Sequence, residues 1–117
     1  MGRKVCFSVV FVVLALAGLV IARNDLIVGS LGADSVLLYQ NTINRTGVAT
    51  GIYSENVVFS NQVRNISRIR ALDLNNNGTG GFARIVSGGV GQRNVTILLQ
   101  ASAIGRGYQF FIDIYGN

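Results

Sequence analysis

The chain has 117 residues, ten Lys and Arg against five Asp and Glu for a net charge of +5, no His, Pro or Trp, and a single Cys. That length makes one small domain. One cysteine excludes an internal disulfide, the absence of His leaves an ordinary zinc site without ligands, and the basic residues are spread singly rather than in the clusters that bind nucleic acid.

In chain order, the first element is an export signal. Arg3 and Lys4 precede an apolar run from Val5 to Ile21, punctuated by small residues at Ala15, Ala17, Gly18 and Ala22. This is the three-part layout of a secretory signal peptide. The run also approaches the roughly 18 to 20 apolar residues of a membrane span, so a signal anchor is the rival. The small residues at its end favour cleavage after Ala22, with the bond after Ala17 as second choice. The expected organisation is a signal peptide at 1–22 and a single β-rich domain at 23–117. Cleavage removes Cys6 and Lys4, leaving eight arginines against five acids, a net charge of +3. No stable membrane association is expected after it.

Beyond the signal, runs of Val, Ile, Tyr, Phe and Thr are broken by Gly and Asn, which is a strand-and-turn pattern. Strands are expected near Leu26–Gly29, Val36–Asn44, Val48–Tyr53, Val57–Gln62, Ile66–Leu74, Phe82–Ser87, Val95–Ala101 and Tyr108–Tyr115. A short helix is the alternative for Ser35–Gln40. Two segments alternate clearly: Val95, Ile97 and Leu99 share one face, as do Tyr108, Phe110, Ile112 and Ile114, and period two places both sets on a core. The opposite faces still carry Leu98, Phe111 and Tyr115, so a second covering sheet is expected there. The fold class is all-β, a small antiparallel β-sandwich or flattened barrel.

Glycosylation sequons of the Asn-x-Ser/Thr type occur at Asn44, Asn65, Asn77 and Asn94. Random placement of the chain's Asn, Ser and Thr gives about one. Each falls at an expected strand end or turn, with Asn77 the best placed and Asn94 the least.

The stretch Asp73 to Gly91, DLNNNGTGGFARIVSGGVG, fits three patterns. Asp73, Asn75, Asn77 and Gly78 match the start of a calcium loop, but its twelfth position, which needs a bidentate Glu, is Arg84. Gly78, Gly80 and Ala83 match a dinucleotide fingerprint. That site needs a following helix, and only six residues separate this turn from the next Gly-Gly pair. Turn chemistry remains: Asn77-Gly78 signals a hairpin, Gly80 and Gly81 a bulge or wider loop, Gly88, Gly89 and Gly91 the next reversal, and Gly105 to Gly107 the last.

The run from Asn77 to Gln92, then Val95-Thr96-Ile97, then Ser102 with Gly105-Arg106-Gly107 and the Phe110, Ile112, Ile114-Tyr115-Gly116 series, resembles the C-terminal core of the multiprotein bridging factor 2 family. Members are small insect proteins, many called salivary secreted peptides. Leu38-Tyr39-Gln40 and Ile69-Arg70-Ala71-Leu72-Asp73 resemble it too. The pattern departs at Ala103-Ile104, where polar residues precede the Gly-Arg-Gly turn in the family. The family name implies a coactivator that bridges a DNA-bound regulator and the general transcription machinery, and it implies no catalytic residues.

Nucleophilic and acid–base catalysis most often use His, Cys or Lys, and none occurs after Cys6. The acids Asp25, Asp34, Glu55, Asp73 and Asp113 show no pairing in sequence. No enzyme activity, cofactor or metal is expected. Arg68 and Arg70 share a strand face, with Ile69 and Ala71 opposite, and are candidate contacts for an anionic ligand or a partner's carboxylates. The competing reading is a solvated face whose charges deter edge pairing. Arg106, between two glycines, is either an exposed turn residue or a recognition tip. The expected function is that of a secreted non-enzymatic protein binding an unidentified protein or anionic ligand, without direct contact with nucleic acid; a transcriptional coactivator is the alternative.

Overall fold

A computed structural model describes residues 24–75 and 80–117. Among these residues are seven strands: β1 (Leu26–Gly29), β2 (Val36–Arg45), β3 (Ser54–Ser60), β4 (Ile66–Asp73), β5 (Gly81–Gly88), β6 (Asn94–Ala101) and β7 (Tyr108–Gly116). They form two antiparallel sheets, one in the order β1-β4-β7-β2 and one in the order β3-β6-β5. Ser35 to Gln40 is no helix: Val36 onward belongs to β2.

The alternation read from β6 and β7 decides the packing. Val95, Ile97 and Leu99 from one sheet, and Phe110, Ile112 and Ile114 from the other, are each no more than 1% exposed. Ile69 and Ala71 of β4 and Ile43 of β2 extend the same layer. Each such side chain, fully buried, contributes about 1.5 to 3 kcal/mol relative to exposure. The thickness of 19 Å fits two sheets packed about 10 Å apart, with side chains on their outer faces.

Three expectations are corrected. The second sheet covers the Phe110 face of β7, not the opposite one, and Phe111 and Tyr115 are half-buried by neighbours on their own outer surface. Val48–Tyr53 is not a strand. Val48 and Ile52 are 42% and 49% exposed, and the segment carries the chain from the four-stranded sheet to the three-stranded one, so no neighbour supplies a ladder. Asn77 and Gly78 fall outside the described residues, but the strands that flank them, β4 and β5, lie in different sheets. Their link is a crossover, not a hairpin, and the Gly105–Gly107 segment likewise joins β6 to β7 across the sandwich. Gly88 to Gly91 does close a hairpin, between β5 and β6.

Glycines at the crossovers act mainly through close approach. A Cβ on Gly107 would sit 2.0 Å from the carbonyl oxygen of Arg45, and one on Gly47 would sit 2.2 Å from that of Gly105. The end of β2 is thereby pressed onto the β6–β7 turn. Gly80 and Gly81, read as a bulge or wider loop, have no positive φ; an added Cβ would lie 2.8 Å from Asp73 Oδ1 and 2.3 Å from the carbonyl oxygen of Gln100 respectively.

Candidate functional site

On the outer surface of the four-stranded sheet, the register sets Arg68 beside Tyr115 and Arg70 beside Asp113. Irregularities at Ser67 in β4 and Leu38 in β2 flank the Tyr115–Gly116 end of β7. Both arginines do share this face, as their spacing suggests, with Ile69 and Ala71 buried behind them. Their surroundings differ. Arg70 donates from Nε to Asp113 Oδ1 at 3.0 Å and from a second nitrogen to Oδ2, a fork geometry that ties both carboxylate oxygens. That hydrogen bonding raises the Arg70 pKa above the ordinary guanidinium value. Arg68 lies over the Tyr115 ring, 5.0 Å from its centroid. Its Nε is buried with no hydrogen-bond partner among the described residues.

A second arrangement occupies the end of the sandwich where β2 finishes and β7 begins. Arg45 of β2 meets Glu55 of β3, with Nε 2.8 Å from Oε2 and a terminal nitrogen 3.1 Å from Oε1. Tyr108, 2% exposed, donates its hydroxyl to Glu55 Oε2. The hydrogen bond to Glu55 raises the Arg45 pKa. Burial, then the hydrogen bond to Glu55, pushes the Tyr108 phenol far above its usual value, so it stays protonated. The chain Arg45–Glu55–Tyr108 therefore ties the two sheets together. Glu55 and Tyr108 carry no sequence signal for it, since they are 53 residues apart.

Beside this chain lies an open groove of about 480 Å³, lined by Asn44, Arg45 and Thr46 from the end of β2, by Arg106 and Gln109 from the β6–β7 turn and the start of β7, and by Asn75. Arg106 is exposed on the turn, and the unexpected Ala103-Ile104 pair does not bury it: Ile104 is 63% exposed. The lining holds two arginines and no acid.

Asp73, the first residue of the apparent calcium loop, is fully buried. Its carboxylate accepts from the backbone N–H groups of Asn75 at 2.9 Å and Asn24 at 3.2 Å, so it works as a turn-closing acceptor. Of the sequons, Asn44 lies near the end of β2, Asn65 just before β4 and Asn94 at the start of β6, all three exposed. Asn77 and the signal segment lie outside the described residues.

Fold and site thus define a small antiparallel β-sandwich whose polar features are an ion-paired outer face and an arginine-lined end groove. A family model described as "Transcription activator MBF2" matches residues 28–116, and the chain belongs to that family. It is also 34% identical over 95 residues, 80% of this chain and 70% of the other, to a "Probable salivary secreted peptide" of Bombus ignitus. No solved structure matches.

Proposed function

We propose that this protein is a secreted, non-enzymatic insect protein that works by binding a protein or other ligand in saliva, haemolymph or another extracellular fluid. The observation that carries this is the 34% identity, over most of both chains, to a protein named for secretion in saliva. The charged start, apolar run and small residues of positions 1–22 support export, and the exposure of Asn65 and Asn94 suits N-linked glycans. Binding is favoured over catalysis because the groove and the outer face offer no His, Cys or Lys to carry a proton or form a covalent intermediate, and the carboxylate on the outer face, Asp113, has both oxygens tied to Arg70.

The family description favours a second reading, a coactivator that bridges a DNA-bound regulator and the transcription machinery. The two diverge in location. The untagged native protein is expected in secreted fluid, beginning after Ala22 and losing mass on N-glycosidase treatment. Recovery mainly from nuclei with residues 1–22 attached would establish the coactivator reading instead.

A further inference from the structure

We infer that the groove between the end of β2 and the β6–β7 turn is a binding site for a sulfate or phosphate ester carried on a sugar-sized polar molecule. This rests on the reading of the chain as a binding protein and gives that reading a location and a ligand class.

Charge is the first argument. Two arginines are among the lining residues, and neither an Asp nor a Glu is. The two arginines are not equivalent. Arg45 is held by both oxygens of Glu55, which fixes its direction and spends much of its charge. Arg106 stands on the β6–β7 turn, exposed, with no ion pair from its side chain among the described residues. One cation is positioned and one is free to close on a ligand, and the free one supplies the net positive field that selects an anion.

The second argument is the rest of the lining. The lining includes the amide residues Asn44, Asn75 and Gln109 and the hydroxyl residue Thr46, whose side-chain groups can donate to and accept from sugar hydroxyls. An apolar ligand finds little to cover, because Tyr108 is turned into the core. About 480 Å³ lies within the range of small-molecule sites, roughly 300 to 1,000 Å³, and exceeds what a bare ion needs.

The third is rigidity. The end of β2 and the β6–β7 turn, which both contribute to the lining, are fixed to each other where Gly47 and Gly107 allow backbone to touch backbone, with prospective Cβ contacts of 2.2 and 2.0 Å. The Arg45–Glu55–Tyr108 chain anchors the end of β2 to the core. A preformed site loses less to ordering when it binds.

The test is a heteronuclear NMR titration at about 0.15 M salt, where loosely held surface ions are screened. It uses the full chain made in a bacterial host that adds no N-linked glycan at Asn44. The probes are inorganic sulfate, inorganic phosphate, glucose 6-sulfate, glucose 6-phosphate and glucose. The sugar esters are expected to bind at least five-fold tighter than the inorganic ions, glucose not at all, with shifts centred on Thr46, Arg106 and Gln109; whichever ester binds tighter identifies the anion. Arg106→Gln is expected to weaken the better ester at least ten-fold, while Arg84→Gln, on the outer face of β5, changes it less than two-fold. Equal losses from the two variants, or no saturable binding, overturns the site. Absence of binding in a protein that is nonetheless recovered from secreted fluid refutes the groove alone, whereas binding by a protein confined to nuclei refutes secretion alone.

Discussion

Arg70 meets Asp113 across neighbouring strands of one sheet, whereas Arg45 meets Glu55 across the gap between the two sheets. In the first pair the carboxylate side chain is 3% exposed and the guanidinium 29%; in the second the values are 19% and 43%. Asp113 has left water and depends on Arg70, because an ionised carboxylate in a low-dielectric setting is costly without a partner. Glu55 depends less on Arg45, since it also accepts from Tyr108 and keeps some solvent. The difference shows that similar fork-like contacts act in two ways. At the sheet centre the ion pair compensates burial, while at the sandwich end the strands are held by backbone contact at glycine, with the ion pair steering one arginine.

The largest effect is expected where that backbone contact is broken. Gly107→Ala forces a Cβ to within 2.0 Å of the Arg45 carbonyl oxygen, and backbone on both sides leaves no flexible side chain to give way. A loss of about 3 to 4 kcal/mol is expected in urea unfolding. Gly105→Ala, in the same turn, meets nothing within 4 Å and carries only the strain of its φ of +81°, a loss of about 1 kcal/mol. Equal losses for the two would show that strain, not contact, governs the sandwich end.

Next in size is Arg70→Met, which keeps much of the arginine's apolar stem but strands Asp113. Removing one partner of a fully buried pair costs about 3 to 5 kcal/mol. Arg70 is partly exposed, so water can enter as it leaves, and a loss of about 2 to 3 kcal/mol is expected at pH 7. Arg70→Met combined with Asp113→Leu should recover most of it. Failure of the double variant to recover would mean that the pair is not what the face depends on.

Tyr108→Phe sharpens the contrast from the other side. At neutral pH it removes one charge-assisted hydrogen bond, about 1 to 2 kcal/mol. The phenol's pKa is raised in the folded protein above its ordinary value of 10.0, by burial first and then by the hydrogen bond to Glu55. A raised pKa gives stability that is complete below the unfolded value and fades as pH climbs above it. The wild-type protein should therefore lose stability above about pH 10 relative to the variant, and the gap between them should narrow. A gap that stays constant to pH 11 would mean Tyr108 ionises as easily folded as unfolded.

Much of this was legible in the sequence, and the rest was hidden for physical reasons. The period-two alternation of β6 and β7 fixed which side chains meet in the core, because burial on one face demands it. Arg68 and Arg70 were placed on one outer face by the same rule. Val48–Tyr53 looked like a strand because its residue types suit one, but strand formation needs a neighbour and this segment travels between sheets. The turn signal around Asn77-Gly78 could not distinguish a hairpin from a crossover, since both ask for residues that reverse the chain. The partners Arg70–Asp113 and Tyr108–Glu55 lie 43 and 53 residues apart, and only the order of strands in the sheets brings them together. The groove was invisible for the same reason, although Arg106 on its rim was singled out by the glycines around it.

The smallest effect is expected at Arg68, two residues from Arg70 on the same face, and it isolates what pairing does there. Arg68 gains a stacking contact with Tyr115, worth about 0.5 to 1 kcal/mol at a partly exposed site. Against this stands a buried Nε with no acceptor, and an unsatisfied buried donor costs about 1 to 3 kcal/mol. Arg68→Met keeps the stem over the ring, replaces the cation by a sulfur that also favours aromatic contact, and removes the unsatisfied nitrogen. The opposing contributions nearly cancel, so stability is expected to stay within about 0.5 kcal/mol of the wild type, against the 2 to 3 kcal/mol set for Arg70→Met. Urea unfolding of the two variants side by side measures the difference. If Arg68→Met instead costs as much as Arg70→Met, then positive charge at either position is what the face requires, and the special dependence of Asp113 on its own guanidinium is wrong.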